Sequence, residues 1–432
     1  MAFNFFVPQI GLDVATYGPL SKILFVNYIV DKIDSDSFNL NPNKTNYITT
    51  NAYNHIFTLK VLNHRKNSSE FLFDYSIRAV GYLDLKNTII SLIPSLINAF
   101  NNGNISNLQP DYPNILRTHT FLYGFSQMSM GYRENINDDF SWGIQGAYLS
   151  GISGANISIN PSDLQVNSQF INFTSKGIYK ISRPFTSDSN FNGFGSVRAY
   201  LPSLKNPGLM VSAGFNNKLD DISEFSVNIK DLGFIHWNGA KQYKSTDTIS
   251  YTGSSPFSFK NQVKKGFNSY YRDAGYSSYN GFLPAFLEGI YSRKFSKNWR
   301  TSFILNKNLI TAEGNFILVQ DVHMDAFHLL VNTGYNTLQN FKLGIHVLYK
   351  TPVVEAFIGS ENLGPSLNLS NQALGLSAPS ASGALNFNFG FAIRLGNCFY
   401  YQTATDTRYN HSNTFWQRLF QKRALPYERE KI

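Results

Sequence analysis

Asp321, His323, Asp325 and His328 are the residues whose types and spacing come closest to chemistry. In an extended chain alternate side chains share a face. The first three would then point the same way, and carboxylate with imidazole suits a divalent ion. A short polar turn between two strands accounts for the same run more simply, and no metal is assigned to it. Cys398 is the single cysteine, which excludes a disulfide framework and any cysteine-based metal centre. His119, His236 and His346 stand alone, as polar wall or lumen positions would. Ser153 lies in Gly151-Ile152-Ser153-Gly154, short of the spacing that a nucleophile elbow needs, and reads as a turn. No pattern pairs a serine with a histidine on one face. The sequence therefore points to no catalytic residue, no cofactor and no enzyme.

The elements that must carry these residues are strands. Of 432 residues only 15% are charged, against roughly 25% in soluble domains. Aromatics also reach 15%, from 37 Phe, 25 Tyr and 4 Trp. Mean hydropathy is nevertheless −0.21, because Asn, Ser, Thr and Gly replace the missing charges. No window holds the roughly 20 apolar residues of a membrane helix, and aromatic and β-branched residues are too abundant for disorder. The net charge of +9 comes from basic residues scattered singly between aromatics. That pattern excludes a nucleic-acid patch.

Period two is the dominant signal. Leu385, Phe387, Phe389, Phe391, Ile393 and Leu395 alternate with Asn386, Asn388, Gly390, Ala392, Arg394 and Gly396. Phe341 to Tyr349, Trp299 to Leu305, Leu209 to Phe215 and Phe71 to Ile77 repeat the pattern. About 14–16 such segments recur, mostly ~8–12 residues long, which suits tilted membrane-crossing strands. A sheet that wide closes to remove its edges. The reading is all-β: a closed antiparallel transmembrane β-barrel over residues 1–400, in a bacterial outer membrane and in contact with its lipid. Short connections at Lys350–Pro352, Asp321–Met324, Ser296–Asn298 and Asn217–Asp221 interleave with longer ones at Leu363–Gly383, Asn306–Gly314 and Trp237–Leu283. Asn336–Asn340 is the exception. This alternation places the C-terminus on the periplasmic side.

Three segments depart from the strand pattern. Residues 86–101 read as a short helical insertion with Ile89, Ile90, Ile93, Ile97 and Phe100 on one face, kinked at Pro94. Trp237–Leu283 reads as a long polar loop. Residues 401–432 form a basic periplasmic tail, in which Phe415, Trp416, Leu419 and Phe420 share a helical face flanked by Arg418, as an interfacial or partner-docking segment would. Met1–Leu20 lacks a basic n-region and a continuous apolar h-region, and the expectation is a truncated or misassigned start.

Arg133, Glu134 and Asp231 should face the lumen or an interface. A Lys or Arg facing lipid at mid-membrane costs about 2–4 kcal/mol. Asp231-Leu232-Gly233-Phe234-Ile235-His236-Trp237 resembles the signature of a Bacteroidetes outer-membrane barrel family of unassigned function. Gly103-Asn104, Gly131-Tyr132-Arg133-Glu134 entering a strand, Leu283-Pro284 opening another, and Glu361-Asn362 match it in order. The resemblance covers roughly residues 25–400. Such proteins are distantly similar to fatty-acid-transporter-like barrels and to barrels of type IX secretion and gliding. The resemblance implies no catalytic residues. It implies a non-enzymatic assembly or anchoring barrel with a periplasmic or surface protein partner. The alternative is a transporter for a hydrophobic or small ligand, with the helix or the Trp237–Leu283 segment plugging the lumen.

Overall fold

The computed structural model describes residues 2–18, 44–63, 69–88, 111–112, 117–166, 170–182, 200–245, 248–252, 272–338, 340–351, 354–364, 366–367 and 382–396. The strands are β1 (Ala2–Tyr17), β2 (Thr45–Asn63), β3 (Ser69–Lys86), β4 (Asp111–Tyr112), β5 (Thr118–Asn135) and β6 (Phe140–Val166). They continue with β7 (Phe170–Ile181), β8 (Pro207–Lys218), β9 (Ser223–Ser245), β10 (Thr248–Thr252), β11 (Arg272–Phe282) and β12 (Phe286–Ser296). The last six are β13 (Trp299–Asn308), β14 (Gly314–Met324), β15 (Phe327–Asn336), β16 (Asn340–Lys350), β17 (Val354–Ser360) and β18 (Ser382–Gly396).

Fourteen strands make the closed antiparallel barrel. Its order is β1, β2, β3, β5, β6, β8, β9 and then β12 through β18. Closure comes from β1 against β18, from Ala2↔Gly396 to Tyr17↔Ser382. With that pairing both edges vanish, and with them the unpaired backbone groups an apolar medium cannot satisfy.

The period-two pattern explains the wall. The residues of the apolar series point outward and stay exposed: Leu209, Val211 and Phe215 on β8, Phe341, Leu343 and Ile345 on β16, and Leu385, Phe387 and Phe389 on β18. Phe341 is 63% exposed while its neighbour Lys342 is 7% exposed. One residue's step along a strand swaps lumen for exterior. An apolar belt turned outward on nearly every described strand of the ring is the surface of a body solvated by lipid.

The two ends differ. At one end the connections are tight: 136–139, 219–222, 297–298 and 325–326. The other, loop end carries the longer connections and a raised crest. There β6 and β9 run to 27 and 23 residues, far beyond the ~9–11 that cross a bilayer. Their outer parts are bridged by β7, and β11 pairs along β9 above β12. β4 and β10 add short pairings to β6 and β7.

Several sequence expectations change here. Trp237–Leu283 is not one loop. β9 continues to Ser245 and β11 resumes at Arg272, because β7 and β11 give that polar stretch strand partners; residues 246–247 and 253–271 lie outside the described residues. Asp321–Met324 closes β14, and the turn is Asp325–Ala326. Gly151–Gly154 is strand with a bulge opposite Gly124–Phe125, not a turn. Gly131–Glu134 ends β5 rather than entering a strand. Of the helical insertion, Lys86 ends β3 and residues 87–88 form a helical turn; residues 89–101 lie outside the described residues, as do Gly103-Asn104, Cys398 and the tail 401–432 with Phe415, Trp416, Arg418, Leu419 and Phe420.

Candidate functional site

The lumen is the candidate site, and it holds two environments along the barrel axis. Toward the loop end, inward side chains of β3, β5, β6, β8, β9 and β11 pack on one another. Val80, Tyr82, Phe121, Tyr123, Phe125, Leu149, Met210, Ile235, Trp237 and Tyr279 form one buried cluster. Phe121 and Tyr123 stack at 5.2 Å, Tyr123 meets Trp237 at 5.7 Å, and Trp237 meets Tyr279 at 6.3 Å. Trp237 has no exposed surface. A cradle of glycines makes room for its indole. A Cβ at Gly151 or Gly154 would lie 2.7 Å from the ring, and one at Gly281 2.8 Å from Nε1. Any side chain there would displace the ring, which gives the Gly-x-x-Gly spacing on β6 a packing reason. The indole N–H, the Tyr279 hydroxyl and Ser153 Oγ are buried with no hydrogen-bond partner among the described residues.

Toward the tight-turn end the lumen opens into a cavity of about 970 Å³. Lys60, Glu70, Arg133, Glu224, Lys230, Asp231 and Arg300 line it, facing an aliphatic patch of Ile290, Ile304, Val319 and Leu330. Most of these charges are paired: Lys60–Glu70 at 2.7 Å, Lys230–Glu288 at 2.7 Å and Arg300–Glu224 at 3.4 Å. Arg133 faces the cavity without an ion-pair partner among the described residues. Glu134, one step on, falls on the other face of β5.

Asp231 joins the two halves. Its backbone takes φ 59°, a left-handed conformation that Asp and Asn tolerate better than other side-chained residues. The register between β8 and β9 slips there, between Val211 and Ala213. The bulge turns the carboxylate inward onto Arg78 of β3, at 2.7 Å. Arg78 also donates to Gln127 Oε1 at 3.2 Å and lies over the Phe125 ring at 5.8 Å. The ion pair thus caps the aromatic cluster and floors the cavity. In the same motif Leu232 and Phe234 face outward, and Ile235 and Trp237 enter the cluster. Gly233 lets β9 approach the β8 backbone, since a Cβ would meet Met210 Cα at 2.8 Å.

The structure gathers three of the four metal-type candidates. Asp321, His323 and His328 present ligand atoms within 4.8 Å of one another. Asp325 takes φ 51° in the turn and leaves that face. Of the isolated histidines, His236 contacts Asn280 at 2.7 Å, His119 meets Phe121 edge-on, and His346 lies inward over Gly359.

Outside the wall, backbone N–H donors of Ile222 and Ser223 hold the exposed Asp220 carboxyl below the usual aspartate range. At the loop end, burial pushes the Glu313 carboxyl up, opposed by Lys342.

Sequence reasoning missed Arg78 and the glycine cradle. Arg78 directly follows the alternating run Phe71 to Ile77, but its link to Asp231 spans 153 positions.

The model of a family of unknown function, DUF5723, matches residues 7–361. No curated protein matches the sequence. Among solved structures, the Pseudomonas putida toluene transporter TodX is 8% identical and aligns over 92% of this chain and 90% of its own, with a TM-score of 0.41. A Pseudomonas aeruginosa FadL homologue is 9% identical over 91% and 89%, with a TM-score of 0.39. The translocator domain of the autotransporter NalP from Neisseria meningitidis is 6% identical over 91% and 89%, at 0.32.

Proposed function

The chain belongs to the DUF5723 family of unknown function, and on that premise we propose that it is a non-enzymatic outer-membrane barrel with a closed lumen, serving assembly or anchoring. The observation that carries this reading is the dry cluster around Trp237, capped by Arg78–Asp231. Ring centroids 5.2–6.3 Å apart and the full burial of Trp237 fill that side of the bore, which favours a platform over a conduit. The outward apolar belt supports a membrane location. Tight turns at the end where β18 finishes support a periplasmic C-terminus, where the basic tail with Phe415 and Trp416 would meet a protein partner. Barrels of secretion and gliding machineries are the class of assembly this resembles.

A second reading draws on the cavity. About 970 Å³ with paired charges opposite Ile290, Ile304, Val319 and Leu330 suits a small amphiphilic ligand, and a transporter would hold its cargo there.

Two measurements separate the readings. In planar bilayers the folded full-length barrel should show no small-solute conductance. Affinity purification from native membranes in mild detergent should recover a stoichiometric protein partner that is lost on deleting Asn413–Ile432. Steady conductance by the unmodified protein would overturn the closed-lumen proposal. A lone barrel carrying one lipid or small molecule would replace anchoring with transport.

A further inference from the structure

We propose that Asp321, His323 and His328 form a binding site for a divalent transition ion of the zinc class, at the tight-turn end of the lumen. The hairpin builds it. β14 and β15 are joined by the two-residue turn Asp325–Ala326, which sets His323 directly opposite His328 in the ladder. Asp321 lies two residues earlier on β14, on the same face as His323. The imidazoles lie 4.1 Å apart between centroids, tilted by 42°.

One donor atom from each of the three residues already lies within 4.8 Å of the others. His323 Nε2 is 3.0 Å from Asp321 Oδ2, and His328 Nδ1 is 3.7 Å from Asp321 Oδ1. Bonds of about 2.0–2.2 Å to a tetrahedral ion place neighbouring donors roughly 3.3 Å apart, so small side-chain rotations suffice. A second observation points the same way. Asp321 is 5% exposed, and its Oδ1 is buried with no hydrogen-bond partner among the described residues. A buried carboxylate oxygen with a free lone pair aimed at an imidazole nitrogen is costly unless a cation or donor completes it.

Two imidazoles and one carboxylate form the ligand set of zinc and related ions with an open coordination position, and a poor set for Mg²⁺ or Ca²⁺. Arg300 is the competing charge, with Nη2 3.4 Å from Asp321 Oδ2. It also reaches Glu224 at 3.4 Å. When an ion takes Asp321, the guanidinium keeps that partner, and Oδ1 is the oxygen left for the metal. The site clamps adjacent strands beside the cavity, independently of whether the barrel anchors or transports.

The test uses the full-length folded protein in detergent micelles, stripped with chelator. Titration with Zn²⁺ should show one high-affinity equivalent, and Mg²⁺ should show none. Co²⁺ should give the visible bands of a low-symmetry four- or five-coordinate nitrogen–oxygen site, a readout that needs no variant. His323→Ala, His328→Ala and Asp321→Asn should each weaken Zn²⁺ binding at least about tenfold, whereas Asp325→Asn leaves it unchanged. Absence of Co²⁺ bands in the unmodified protein, or tight Zn²⁺ binding that survives His323→Ala and His328→Ala, would overturn the proposal; the latter assigns the ion to exposed histidines elsewhere.

Discussion

The loop-end and tight-turn halves of the lumen share β3, β5, β6, β8 and β9, yet they solve opposite problems. β3 carries Val80 and Tyr82 into the aromatic cluster and Glu70 into the cavity. β5 does the same with Tyr123 and Arg133, and β9 with Trp237 and Glu224. Packing in the first half is dense enough that glycine is required wherever the indole touches the wall. In the second half the same inward positions hold ion pairs around open volume. The strand therefore fixes only which face a residue takes. What fills the bore at each height is set by side-chain choice alone, and the bulge at Asp231 is where one regime gives way to the other.

The largest expected effect comes from removing the centre of the dense half. Trp237→Ala should destabilise the barrel by about 3–5 kcal/mol, as large-to-small changes in packed cores do. The matched truncation in the open half, Ile304→Ala, removes surface that already faces the cavity and should cost under about 2 kcal/mol. Reversible urea unfolding in lipid vesicles measures both. Equal losses would show that the two halves are not different media.

A smaller effect is expected at the junction. Asp231→Asn keeps a residue that tolerates φ 59° but removes the charge facing Arg78. The pair is only partly shielded, with side chains 15% and 22% exposed. The loss should therefore lie near 1–3 kcal/mol, below that for a fully buried pair. Adding Arg78→Met should recover part of it, since an unpaired guanidinium is worse than none. Asp231→Ala should cost more than Asp231→Asn by about 1 kcal/mol of backbone strain. If the double variant is as unstable as the sum of its parts, Arg78 and Asp231 do not act as a pair, and the halves meet by packing alone.

Much of the wall was legible in the sequence, because lipid demands an apolar residue at every second position and the strands show it, as in Leu385–Phe391. Strand ends were less legible. Trp237 to Ser245 is polar enough to read as loop, and only β7 and β11 beside it make it strand. The interior was hardest, since Gly154 and Trp237, or Arg78 and Asp231, meet across the ring rather than along the chain. The histidine cluster is an intermediate case. A two-residue turn at Asp325–Ala326 dictates that His323 opposes His328, but the spacing 321, 323, 325 suggested an extended run instead. The left-handed Asp325 broke that run.

The smallest expected effect concerns pH and lies at the tight-turn end. Asp220 sits in the exposed connection between β8 and β9, where its Oδ1 accepts N–H bonds from Ile222 at 2.8 Å and Ser223 at 2.6 Å. Those donors favour the carboxylate, so its folded pKa lies below the ordinary 3.8. A group depressed in the folded state stabilises fully above its unfolded pKa and loses that stabilisation as pH falls through the folded one. Hydrogen-exchange protection of the Ile222 and Ser223 amides should therefore decline below about pH 4 in the unmodified protein. Asp220→Asn can still accept both bonds without titrating, so its protection should stay flat over the same range, and Asp220→Ala should lack it at every pH. Any other effect of acid on the barrel is common to all three proteins and cancels in the comparison. A decline in Asp220→Asn as steep as in the unmodified chain would show that the Asp220 carboxyl is not the source of the acid sensitivity at this turn.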